Sequence, residues 1–68
     1  MNDANKIKGK IIEHGYNMES FAKAIGISRQ TLTKKLNGSS EFTVSEIYKI
    51  CETLNIANSE IGTYFFTR

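Results

Sequence analysis

Three glycines, Gly15, Gly26 and Gly38, cut a proline-free chain of helical periodicity into short segments. Glycine accepts the left-handed backbone that ends helices, so the pattern predicts several brief helices and no long one. The first runs from about Asp3 to Glu13, with Ile7, Ile11 and Ile12 on one stripe and Lys6, Lys8 and Lys10 mostly off it. Gly9 weakens it by up to ~1 kcal/mol relative to alanine. The second starts after Asn17, a capping residue, with Glu19 placed to suit the helix dipole and Phe21, Ala22 and Ile25 facing inward. Gly26 breaks it and Ile27 turns back into the core. Ser28 caps a third helix that runs to Leu36 or Asn37. Thr43-Val44-Ser45-Glu46 fits a capping box, and Phe42 with Ile47 fits the hydrophobic staple around it. Ile47, Ile50, Cys51 and Leu54 continue that fourth helix. A short fifth starts near Asn58 and includes Ile61. The expected fold is all-α, a compact bundle of four to five short helices.

At 68 residues the chain is expected to be a single domain over 1–68. A chain of this size buries only roughly 60% of the surface its unfolded form exposes, which leaves little for a deep catalytic cleft. No run approaches the roughly 20 apolar residues of a membrane span. Residues 1–10 are polar and basic, without an apolar signal-peptide centre. One cysteine, Cys51, cannot form an internal disulfide. These features point to a cytoplasmic protein. The net charge is +2, unevenly distributed. Residues 1–40 carry seven bases and three acids, and residues 41–68 carry two bases and four acids. The first part suits a polyanion and the second does not.

The segment from Met18 to Gly38 carries the functional signal. Two short helices are joined by a tight, glycine-containing turn, the helix-turn-helix pattern over residues 18–37. Gly26 supplies the positive φ that the turn needs. Ala22 permits close helix crossing, and Phe21, Ile25, Ile27 and Leu32 fix its angle.

On the third helix Leu32 and Leu36 share the core face. Gln30, Thr33, Lys34 and Asn37 project away, with Arg29 on one shoulder and Thr31 and Lys35 on the other. No acid occurs from Ser28 to Ser40, as a surface meeting phosphates and base edges requires. Gln30 suits an adenine edge, and Arg29 or Lys34 suits guanine O6 and N7. Thr33 suits a thymine methyl or a phosphate. Base contacts are therefore expected from Arg29, Gln30, Thr33 and Lys34. Phosphate contacts are expected from Ser28, Thr31, Lys35, Asn37, Ser39 and Ser40, together with the backbone amides after Gly38.

The stretch Phe21-Ala22-Lys23-Ala24-Ile25-Gly26-Ile27-Ser28-Arg29-Gln30-Thr31-Leu32, followed by Asn37-Gly38, resembles the Cro and lambda-repressor-like (Xre) helix-turn-helix family. The likeness extends from Ile7 to about Ile61. It is strongest to short Cro-type regulators of bacteriophages and prophages. The resemblance implies a lambda-repressor-like bundle with the helix 28–37 in the major groove. It further implies dimeric binding to near-palindromic operator DNA and transcriptional repression. Met18 stands where many members have a phosphate-clamping glutamine. Lys35 and Leu36 reverse the apolar–polar order common at those positions, as in some Cro proteins.

Other residues have simpler readings. His14 is expected to be exposed at a helix end, where it favours the dipole. Cys51 reads as a small core residue. No metal cluster, cofactor motif or catalytic constellation occurs, so no enzyme is expected. Tyr64, Phe65 and Phe66 cannot all face inward on a small bundle. They are read as a dimer or partner-protein contact, or as a tail folded over the core. The alternative function is an interaction protein, a modulator or antirepressor that binds a partner phage repressor.

Overall fold

The computed structural model describes residues 2–66. Helix α1 spans Ala4–Glu13, α2 Met18–Ala24, α3 Arg29–Leu36, α4 Val44–Leu54 and α5 Ile61–Phe65, with a single 3-10 turn at Asn58–Glu60 before α5. No strand occurs among the described residues. The fold is a bundle of five short helices.

Side chains close to the starts of α1, α2, α3 and α4 explain where those helices begin. The Asp3 carboxylate accepts the Lys6 amide proton at 3.1 Å. Asn17 and Ser20 cap each other, with the Ser20 amide donating to Asn17 Oδ1 at 2.7 Å and the Asn17 amide to Ser20 Oγ at 3.0 Å. Thr43 and Glu46 form the expected box at 3.1 and 2.8 Å. Such caps satisfy amides that the helix itself leaves unpaired.

The ends follow a second rule. At Gly26, φ +81° lets the Gly26 amide reach Lys23 O and the Ile27 amide reach Ala22 O, the paired closure of a Schellman turn. That closure swings Ile27 against the core. Helix α4 ends in the same sense on Asn55, at φ 54°, and Ile56 folds back to Cys51 O at 2.8 Å. Asparagine tolerates this backbone because its short amide bonds locally. The sequence reading assigned no stop there.

The core joins all five helices. It contains Ile7 and Ile11 of α1, Phe21 and Ala22 of α2, Leu32 and Leu36 of α3, Ile50, Cys51 and Leu54 of α4, and Tyr64 and Phe65 of α5. Ile25 and Ile56 close it at the loops. Phe42 and Ile47 pack against its edge, and Phe42 meets the Phe65 ring edge-on at 5.6 Å. The first and last helices meet where the Asp3 amide donates to Tyr64 O at 2.8 Å and Lys6 Nζ lies 4.8 Å from the Tyr64 ring centre.

Two expectations are corrected. Ile12 is exposed, not on the buried stripe. Ala4, Ile7 and Ile11 already supply a narrow contact face, and Ile12 lies about 100° round from Ile11. Tyr64 and Phe65 are buried in the protein's own core and are not available to a partner. Of the three terminal aromatics only Phe66 stays out, 65% exposed.

Candidate nucleic-acid interface

Helix α3 is fixed from below by Leu32 and Leu36, both buried. Its other side is exposed at Arg29, Gln30, Thr33 and Lys34. These four residues line one shallow, open depression, so the side chains expected to meet bases are brought together on one face. The ion pairs among the described residues are Lys10–Glu13, at 3.8 Å, and Lys35–Glu46. Arg29 and Lys34 take part in neither. The Thr33 hydroxyl donates to Arg29 O at 3.0 Å, which leaves its oxygen lone pairs and its methyl for a partner.

The residues expected on phosphate are arranged less uniformly. Ser28 Oγ accepts the Thr31 amide proton and donates to Thr31 Oγ1, so these two hydroxyls are engaged with each other. Asn37 is exposed at the end of α3, and the Ser39 and Ser40 side chains are exposed beyond it. The amides after that end are not free. Gly38 takes φ +86°, and its amide donates to Lys35 O at 3.2 Å. The Ser39 and Ser40 amides donate to Lys34 O at 3.0 and 3.3 Å. The glycine that makes this loop also turns its donors back onto the helix, so those amides are withdrawn from any anion.

Lys35 departs furthest from expectation. Its side chain is 13% exposed and its ammonium bonds the Glu46 carboxylate, itself 15% exposed. Burial raises the Glu46 pKa. Hydrogen bonds from Lys35 and Thr43, with the Lys35 charge, outweigh burial and hold the carboxyl below its ordinary value. The same carboxylate oxygen accepts the Thr43 amide proton at 2.8 Å. Asn2 Nδ2 donates to Lys35 O at 2.6 Å.

Sequence reasoning missed three residues around this helix. Asn2 and Glu46 hold its last turn, and Lys49 of α4 places its ammonium 3.9 Å from the point a Gly26 Cβ would occupy. Local spacing carries no sign of Asn2 or Lys49, because both reach the helix-turn-helix through the tertiary fold. Glu46 was legible only as a cap.

Among the described residues no group of His, Cys, Asp and Glu is placed to hold a metal ion, and no helix is long and apolar enough to cross a membrane. Cys51 is buried, and burial pushes its thiol pKa up, away from nucleophilic chemistry. His14 is exposed, with Nδ1 3.0 Å from Lys10 O.

The geometry defines a small helical protein in which α2, the Gly26 turn and α3 present an exposed helix face, Arg29, Gln30, Thr33 and Lys34, that carries no acid. The model of the family described as protein of unknown function (DUF739) matches residues 1–68, and the chain belongs to that family. No curated protein matches the chain.

Proposed function

We propose that the protein is a sequence-specific DNA-binding transcriptional regulator, a Cro-like repressor acting in the cytoplasm. The helix from Ser28 to Asn37 enters the major groove of operator DNA. One observation carries the reading: Arg29, Gln30, Thr33 and Lys34 share an exposed face of α3 that carries no acid of its own, and neither Arg29 nor Lys34 is paired with an acid among the described residues. Gln30 pairs with an adenine edge, Arg29 or Lys34 with guanine, and Thr33 with a thymine methyl or phosphate. Thr31, whose hydroxyl accepts from Ser28 and keeps its own proton, steadies the DNA backbone together with the Asn37, Ser39 and Ser40 side chains. Binding is by a homodimer on two half-sites about 34 Å apart. The test is a gel shift on DNA flanking its own gene at two salt concentrations. Gln30→Ala and Lys34→Ala should each weaken specific binding while the fold survives. Normal binding by both variants overturns the assignment of this face.

A second reading is favoured by Phe66, which is exposed beside a groove of about 270 Å³ lined by Phe42, Ile47 and Phe65. In that reading the protein is a modulator or antirepressor that binds a partner phage repressor through Phe66 and this groove, whose rim also carries Asn2, Ser40 and Glu41. Pull-down with the repressor encoded beside it, set against the gel shift, separates the two.

A further inference from the structure

Lys35 is the residue of α3 that other elements hold at both its backbone and its side-chain end. Its ammonium is bonded by Glu46, from the first turn of α4. Its carbonyl accepts from Asn2 at 2.6 Å. Each partner is itself anchored. The Glu46 carboxylate oxygen also receives the Thr43 amide, and the backbone after Asn2 is tied to α5 through Asp3 and Tyr64.

The contrast with Leu32 and Leu36 matters. Apolar contact is non-directional, so two leucines on one stripe leave a short helix room to roll about its axis. Hydrogen bonds are directional. A roll of about 15° at the ~5–6 Å side-chain radius of a helix moves an outward tip by roughly 1.5 Å. A bidentate contact to a base does not survive that displacement.

We propose that Lys35 is a positioning residue: with Glu46 it sets the roll of α3, and so the register of Arg29, Gln30, Thr33 and Lys34 on DNA, and it does not touch phosphate. This rests on the DNA-binding reading above. It predicts an effect opposite in sign to simple electrostatics. Glu46→Gln removes a negative charge near the interface, which by charge alone strengthens binding to a polyanion. If the pair sets register, the same change weakens binding to the correct sequence.

The experiment uses the full chain and two duplexes: one carrying the sequence that the wild type selects from a random pool, and a scrambled control of equal composition. Affinities are measured over a series of salt concentrations. The variants are Glu46→Gln, Lys35→Met and Lys35→Arg. Glutamine keeps an acceptor for the Thr43 amide, so the capping box survives. Glu46→Gln and Lys35→Met should each lose about tenfold or more in preference for the selected duplex, the scale of one bidentate contact. Their salt slopes should stay at the wild-type value, and Lys35→Arg should retain the preference. The proposal is overturned if Lys35→Met lowers the slope by about 0.9, the mark of one lost phosphate contact, with preference intact. It is equally overturned if Glu46→Gln binds the selected duplex as well as wild type or better. Either result leaves the DNA-binding reading standing. A wild type that selects no sequence removes that reading and this one together.

Discussion

Ser28 and Thr31 grip each other at the start of α3. The Thr31 amide donates to Ser28 Oγ at 3.1 Å, and the Ser28 hydroxyl donates to Thr31 Oγ1 at 2.8 Å. The cap fixes where α3 begins. Ser28→Ala should therefore destabilise the fold by about 1 kcal/mol. In a domain this small that lowers the melting temperature by roughly 4–8 °C, measured by circular dichroism. An unchanged melting point means the cap is dispensable.

Glu46 gives a defined acid response. Its folded-state pKa is depressed because bonding by Lys35 and Thr43 outweighs the opposing effect of burial. A depressed carboxyl contributes stability that is present above its unfolded value, roughly 4.3, and is lost as pH falls through the lower folded value. Urea midpoints should drop as the pH is taken below that range. Glu46→Gln should flatten the drop, since glutamine does not titrate. Parallel curves for the two proteins would assign acid sensitivity to other groups.

Phe65 and Phe66 are adjacent but should behave oppositely. Phe65 is buried against Phe42, whereas Phe66 is exposed. Phe65→Ala should cost about 3–5 kcal/mol. Phe66→Ala should stay within about 0.5 kcal/mol of wild type. Denaturant melts of both variants check this, and a large loss from Phe66→Ala would reverse the placement of α5.

Cys51 should resist thiol reagents while the fold is intact. It is buried and its thiol pKa is raised, so both access and thiolate population are low. Labelling at mildly alkaline pH should be slow in the native protein and fast in concentrated guanidinium. Equal rates in both would place the thiol at the surface.

The readable parts of the sequence were those settled within a few residues. Asn17, Ser28 and Thr43 each cap through a partner three positions on, and the Leu32–Leu36 pair marks which side of α3 meets the core by helical spacing. The fates of Lys35 and of the Ser39 and Ser40 amides were not legible. Lys35 is turned inward by a carboxylate 11 positions away, and the amides depend on a loop conformation that closes on Lys34 and Lys35. Tyr64 and Phe65 were hidden for a related reason: a five-residue helix has no periodicity to read, and its buried side is decided by α1 and Phe42. Ile12 shows the reverse error, where hydrophobicity suggested burial and the narrow face of α1 did not reach it.

The hydrogen bond from Asn2 to the last turn of α3 has a practical consequence for anyone handling the protein. An affinity tag or fluorescent fusion attached ahead of Asn2 would start beside the last turn of α3, bringing its own bulk and charge to the face proposed to meet DNA. Assays on such fusions would report the appendage along with the protein, and removing it should sharpen discrimination more than total binding.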